Sequence, residues 1–332
     1  MEGCLLGGAV GDALGAPLEF LSLSEIRARF GPAGLLDYVP AYGRLGAVTD
    51  DTQMTLFTAE GLVLAADALR DGDLEAALRL VYEAYLRWFE TQAGWAPGVE
   101  ATDPAGWLVG RPELRHRRGP GRTCLSALGS GGMGTLDAPI NSSKGCGGIM
   151  RVAPVGLIGA RDPFRLGCAV AAITHGHPSG YLAAGFQALV VDAIVGGASL
   201  EEAIESARAE LLRWPEHGEC LAAVDGAVRL AAEGPATPER VERLGEGWVA
   251  EEALAIALYC ALTADGSFER GVLAAANHSG DSDSTAAIAG NLLGALLGRG
   301  AMPERWLGPL EVREVVERLA GELLAAFPGE GA

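Results

Sequence analysis

Two short segments hold the residues best suited to chemistry. Thr49-Asp50-Asp51-Thr52 and Gly280-Asp281-Ser282-Asp283-Ser284-Thr285 each set two carboxylates among hydroxyls. Each stands just before an apolar run of helical period, Met54 to Leu69 and Ala286 to Leu297, so each belongs at a helix N-terminus. An Asp, Ser or Thr there caps the helix by accepting from a free backbone N–H, worth about 1 kcal/mol. One carboxylate suffices for that, and adjacent carboxylates repel. Four in two clusters are more readily explained by a cation that neutralises them. Every donor in the two segments is oxygen, which selects hard ions such as Mg²⁺, Mn²⁺ or Ca²⁺ over zinc. Capping and metal binding both stay open on the sequence, which does not show that the clusters meet.

The elements that must position them are helices. Leu56 to Leu69, Leu74 to Phe89, Tyr181 to Ile194, Leu200 to Leu212, Val249 to Leu262 and Val312 to Phe327 carry apolar residues at i, i+3, i+4. They are rich in Ala, Leu, Glu and Arg, strong helix formers. Period-2 alternation is nearly absent, and no strand is expected. Gly and Pro mark loops over Phe30 to Tyr42, Trp95 to Arg122, Gly129 to Asn141 and Gly234 to Pro238. With no repeat and no dividing linker, one all-α domain over residues 1–332 is expected. Gly3, Gly7, Gly11 and Gly15 recur every four residues near the start, as do Gly290, Gly294 and Gly298, after Ala286, near the end. Glycine inside a helix costs about 0.5–1 kcal/mol against Ala. Close backbone approach offsets that cost, which puts both segments at the centre of the fold.

Composition removes several classes of function. The 332 residues carry 43 acidic and 25 basic side chains, a net charge of −18, and the pI is near 4.7. Nucleic-acid binding needs a surplus of Lys and Arg, so it is not expected. A mean hydropathy of +0.22, with 49% hydrophobic residues, excludes extensive disorder. The six cysteines, at 4, 124, 146, 168, 220 and 260, form no CxxC pair and no zinc-type spacing. The apolar run Ala286 to Gly298 is broken by Asn291 and too short for a bilayer. Met1 runs into Glu2 and Gly3 without a basic region or a small-residue cleavage site, so no leader, a reducing cytoplasm and no membrane are expected. Lys144 is the only lysine beside 24 arginines, and Asn141 is one of three asparagines.

Taken together, the motifs resemble the ADP-ribosylglycohydrolase family, which includes the dinitrogenase reductase-activating glycohydrolases and the ADP-ribosyl-acceptor hydrolases. The resemblance rests on Gly7-Gly8-Ala9-Val10-Gly11-Asp12-Ala13-Leu14-Gly15 leading to Glu19, and on the Thr49–Thr52 motif. It continues through Ser143-Lys144-Gly145-Cys146-Gly147-Gly148-Ile149-Met150-Arg151, Thr174-His175-Gly176-His177 and Gly280 to Thr285. These occur in the family order from residue 3 to 298.

The resemblance implies a compact orthogonal bundle of helices around a central cleft with two divalent cations, Mg²⁺ or Mn²⁺. Carried over to this chain, the metal ligands are Thr49, Asp50, Asp51, Asp281, Asp283 and Ser284. Many relatives read Gly-Gly-Asp-Thr-Asp-Thr where this chain has Ser279-Gly280-Asp281-Ser282-Asp283-Ser284; Ser284 offers the same hydroxyl oxygen as threonine. Asp283 is the candidate for orienting or deprotonating the attacking water, with ligand duty alone as the alternative. Glu19 matches a mobile gating glutamate; on its residue type alone it reads as a solvated position after a helix.

Ser143, Lys144, Gly145 and Cys146 match a pyrophosphate-binding loop, read here as opening a helix through Arg151. Some relatives have asparagine at the Cys146 position. His175 corresponds to a ligand-contacting histidine, while His177 is expected to cap or pack. Gly121 fits a glycine turn near the nucleotide. The arginines at 111, 115, 117, 118 and 122 either offset repulsion of a dianionic substrate or form an exposed loop or subunit contact.

The function so implied is release of ADP-ribose from an ADP-ribosylated acceptor. Arginine-linked protein is the first expectation; serine-linked protein, small molecules and O-acetyl-ADP-ribose are others. The alternatives are a non-catalytic ADP-ribose sensor and a structural relative, as the jellyfish lens crystallins of this fold are.

Overall fold

The computed structural model describes residues 1–94 and 106–328, so residues 95–105 of the expected Trp95–Arg122 loop lie outside it. Among the described residues there are sixteen α-helices and no strand; only two isolated bridges occur, Ala41 with Arg44 and Gly145 with Val249. The first five helices are α1 (Glu2–Gly15), α2 (Leu23–Phe30), α3 (Asp50–Leu64), α4 (Ala66–Asp71) and α5 (Leu74–Ala93). Then come α6 (Arg122–Gly129), α7 (Pro163–Ala172), α8 (Pro178–Val195), α9 (Leu200–Leu211), α10 (Gly218–Glu233) and α11 (Pro238–Val241). The last are α12 (Ala250–Leu262), α13 (Phe268–Ala276), α14 (Ser282–Leu297), α15 (Glu304–Leu307) and α16 (Arg313–Ala326).

The two glycine rows pack against each other, and this contact sets the geometry of the site. A Cβ added at Gly3, Gly7 or Gly11 would lie 2.5, 2.2 or 2.0 Å from the carbonyl oxygen of Gly294, Gly290 or Ala286. At Gly15 it would lie 2.3 Å from the Asp283 Cα. As one row ascends the other descends, so α1 and α14 are antiparallel. Only hydrogen fits between them. Asn291 locks the pair by donating to the Cys4 carbonyl at 2.9 Å. The end of α1 therefore lies beside the start of α14, and the carboxylates of the late motif face the turn that leads to Glu19.

Around this pair, α3 packs on α5 and α16, α13 and α12 pack on α14, and α8 is held by α7, α9 and α12. The core includes the fully buried Trp88, Trp306, Tyr85, Tyr259, Phe57 and Phe164. By length and composition α8 could cross a membrane, with a mean hydropathy of 1.3 over 18 residues, but 67% of it is buried within the protein.

Two expectations need correction. The helix expected over Leu56 to Leu69 breaks at Ala65, whose ψ of 3° leaves the helical region, giving α3 and α4. The loop from Ser143 opens no α-helix. Instead Cys146–Gly148 and Ala153–Leu157 are 3₁₀ turns, since Gly147 and Gly148 lower helix propensity and Pro154 ends any ladder begun before it.

Candidate active site

Thr49 is the N-cap of α3, and its Oγ1 accepts from the Asp51 N–H at 3.4 Å. A hydroxyl thus serves the helix end, which leaves the carboxylates of Asp50 and Asp51 for other partners. Asp281 is the N-cap of α14, yet its side chain makes no capping bond. Its Oδ2 accepts instead from the Cys146 thiol at 2.8 Å. Only Asp283 serves its own helix, accepting from the Ser284 N–H at 3.0 Å. Capping therefore accounts for one carboxylate of the four.

A fifth carboxylate organises the first motif. Asp12, fully buried on α1, accepts from Thr49 N (2.9 Å) and Oγ1 (2.9 Å) and from Thr52 N (3.1 Å) and Oγ1 (2.5 Å). It ties the start of α3 to α1. Asp12 falls within the glycine-rich motif but carries no signal of this role: a lone Asp in an apolar helix reveals no partner until α3 is placed.

The two motifs converge. Asp283 lies near enough for its charge to raise the pKa of Asp12, Glu19, Asp50, Asp51 and Asp281. Asp50 Oδ2 accepts from the Gly121 N–H at 3.0 Å, and its own N–H donates to the Arg118 carbonyl at 3.2 Å. A Cβ on Gly119 would stand 3.5 Å from both Asp50 Oδ1 and Glu19 Oε2. The 118–121 turn and the Glu19 side chain thus border the same space.

Burial first, then mutual repulsion, drives the acidities of these groups. Asp50, Asp51 and Asp281 are pushed well above the ordinary carboxylate range, Asp12 to about 7 and Glu19 to about 10. Desolvation raises Asp283 as well. Among the described residues none of these carboxylates forms an ion pair with a Lys, Arg or His. Asp51 Oδ1 is buried without a hydrogen-bond partner. Such an arrangement suits a cation, because buried charge needs a counter-charge or a metal. The oxygen donors of Thr49, Asp50, Asp51, Asp281, Asp283 and Ser284 fit a hard divalent ion. No three Asp, Glu, His or Cys side chains among the described residues are already gathered as a metal-holding group.

Of the remaining expected site residues, Gly121 and Cys146 touch the carboxylates, through Asp50 and Asp281, and Ser143, Gly145 and His175 pack in the loop around Cys146. Ser143 Oγ bonds Thr123 Oγ1 at 3.0 Å and accepts from the Gly145 N–H at 3.3 Å. Gly145 and Gly147 sit over His175: added Cβ atoms would lie 3.5 and 3.3 Å from its Nε2. His175 is buried and bonded to Thr174 Oγ1 at 2.8 Å; burial, then the Arg151 charge, pushes its pKa down to about 3, so the ring is neutral. His177 caps α8 by accepting from the Ser179 N–H. Lys144 turns to other partners, pairing with Glu219 on α10 and Glu251 on α12. Arg151 is structural, stacked 4.3 Å over Tyr85 and donating to Thr174 Oγ1.

The basic cluster divides. Arg111 pairs with Glu113, Arg115 with Glu90, and Arg118 is buried against Glu311 and the Val48 carbonyl. That corrects the exposed-loop reading for Arg118, whose carbonyl and side chain fix the turn beside Asp50. Arg117 and Arg122 remain exposed.

The family model described as ADP-ribosylglycohydrolase matches residues 1–332. The chain belongs to the ADP-ribosylglycohydrolase family. It is 28% identical to the ADP-ribosyl-[dinitrogen reductase] glycohydrolase of Rhodospirillum rubrum, over 97% of this chain and 95% of that one. Identity to the ADP-ribosylarginine hydrolase Tri1 of Serratia proteamaculans is 25%, covering 99% of this chain and 80% of the relative. A solved structure titled ADP-ribosylglycohydrolase-related protein complex superposes with a TM-score of 0.67 at 28% identity, covering 98% and 96% of the two chains. For an ADP-ribosylglycohydrolase the all-α architecture found here is the expected one.

Proposed function

We propose that this chain hydrolyses the bond between the ribose C1″ and an acceptor, releasing ADP-ribose, with arginine-linked protein as first substrate. The observation that carries the reading is the convergence of five buried carboxylates and Glu19 that form no ion pair with a basic side chain among the described residues. Family membership and the Tri1 relative's name support the reaction and the linkage respectively. Thr49, Asp50, Asp51, Asp281, Asp283 and Ser284 would hold two divalent cations, Mg²⁺ or Mn²⁺. The chemistry such cations supply is charge neutralisation and polarisation of the ribose oxygens.

The chain's own groups do the rest. Asp283 orients the attacking water toward C1″ and accepts its proton. Departure of the acceptor builds oxocarbenium character on the ribose, as in other glycoside cleavages. Glu19, whose carboxylate shares the space beside Gly119 with Asp50, would assist proton transfer to the leaving nitrogen. Gly121, Ser143, Gly145 and Cys146 border the space for ribose and pyrophosphate, and neutral His175 supports the loop floor. Lys144 anchors that loop to α10 and α12 rather than meeting the phosphates.

The test measures free ADP-ribose from ADP-ribosylarginine with Mg²⁺, with Mn²⁺ and with EDTA, for the wild type and Asp50→Asn. Turnover that needs a cation and disappears in the variant is expected. Calorimetric ADP-ribose binding without turnover on any linkage would make the protein a sensor. Loss of both binding and turnover in the wild type would overturn the site and favour a structural role.

A further inference from the structure

The side chains of the proposed cation centre offer oxygen donors only, and one neighbour departs from that set. Cys146 Sγ lies 2.8 Å from Asp281 Oδ2 and 3.7 Å from Ser284 Oγ, both proposed ligand atoms at the start of α14. The thiol is held there by backbone: the Cys146 N–H donates to the Trp248 carbonyl at 3.2 Å, and the Ala250 N–H donates to the Lys144 carbonyl at 2.9 Å. Lys144 pins the same loop through Glu219 and Glu251. Of the six cysteines, all in the described residues, Cys146 alone is not fully buried.

A second, separate observation points to a ligand in this space. Asp51 is 3% exposed, and its Oδ1 has no hydrogen-bond partner among the described residues. Its other oxygen, Oδ2, accepts from Thr49 Oγ1 at 3.2 Å, so Asp51 borders the volume of the proposed ligand set. An unsatisfied buried carboxylate oxygen is costly unless something fills that volume.

We propose that Cys146 gives the Asp281 side of the centre a sulfur donor, so that this chain takes thiophilic divalent cations such as Co²⁺, Zn²⁺ or Cd²⁺ there as well as Mg²⁺ or Mn²⁺. Soft thiolate ligands favour those ions, whereas carboxylate and hydroxyl oxygens favour the hard ones. As the metal–sulfur bond forms, the S–H bond breaks and its proton passes to solvent buffer; no oxidant or reductant is involved. The hydrogen bond from sulfur to Asp281 is given up, and both atoms become ligands. Hard ions leave that hydrogen bond in place. The inference rests on the proposed cation centre.

The experiment titrates the metal-free full-length protein with Co²⁺ and with Cd²⁺ and records sulfur-to-metal charge-transfer absorption. Mn²⁺ binding is followed in parallel by electron paramagnetic resonance. The wild type is expected to show the charge-transfer band. Cys146→Ser and Cys146→Ala should lose it while still binding Mn²⁺, and Cys124→Ser, which alters a fully buried thiol, should keep it. A band that survives in both Cys146 variants overturns the proposal, as does a wild type that binds Mn²⁺ and Co²⁺ without any band. A wild type that binds no cation overturns the underlying centre too, and so separates the two failures.

Discussion

At the scale of single residues, Asp12 is the group on which the others depend. It accepts four hydrogen bonds from Thr49 and Thr52. Asp12→Asn keeps the volume but turns one acceptor into a donor facing N–H and O–H groups. Leaving buried donors unmatched costs about 1–3 kcal/mol, and loss of an orienting partner weakens metal affinity about 10–100-fold. Urea denaturation and Mn²⁺ titration of the variant check the two effects. A destabilisation of that size with unchanged Mn²⁺ affinity would make Asp12 purely structural.

Acidity gives a second test at this scale. Asp12 and Glu19 have folded-state pKa values raised to about 7 and about 10, by burial and then by neighbouring carboxylates. The folded metal-free protein therefore holds protons that the unfolded chain has lost, and stability falls as pH rises. For Asp12 the contribution is fully present below the ordinary value of 3.8 and is lost as pH rises through about 7. The Tm of the EDTA-treated protein should decline across that window, and Mn²⁺ should raise it most at the alkaline end. A Tm that climbs with pH without metal would contradict the electrostatic picture.

At the scale of elements, the glycine contact between α1 and α14 decides how far the carboxylates stand apart. Gly11→Ala would put a methyl 2.0 Å from the Ala286 carbonyl oxygen, and the helices must separate. Overpacking of this kind costs about 1–3 kcal/mol, and here it also displaces the start of α14. Gly321→Ala is the control: it lies inside α16 with open space around it, so it should gain about 0.5–1 kcal/mol. Chemical denaturation of both variants reads the opposite signs. Apolar periodicity revealed α5, α9 and α16 most plainly, because Leu, Ile and Val alternate with charge in them. It missed α10 and α13, where small Ala, Gly and Cys side chains supply much of the buried face and blur the pattern. The ends of α3 and α14 were legible through their hydroxyl and carboxylate types. That Asp281 takes a thiol instead of capping was not, because it depends on where the Ser143–Gly148 loop is folded.

At the scale of the whole molecule, charge sets how a substrate arrives. The net charge is −18, and ADP-ribose carries an anionic pyrophosphate. Association of like charges is slowed by the long-range field and relieved by salt, whose screening length is about 8 Å at physiological ionic strength. Without change in kcat, kcat/KM should rise severalfold from low salt to that condition. A fall instead would mean that the exposed Arg117 and Arg122, beside the 118–121 turn, dominate the approach.

The pairing of α1 with α14 also has a consequence in time. The ribosome delivers residues 2–15 well before residues 282–297. At roughly 5–20 residues per second, the glycine-lined helix waits on the order of tens of seconds for its partner. During that interval the glycine face of α1 lacks the helix that covers it, and half of the proposed ligand set does not yet exist. The proposed centre is thus completed only once α14 has been made, and until then α1 must be kept from associating with other chains.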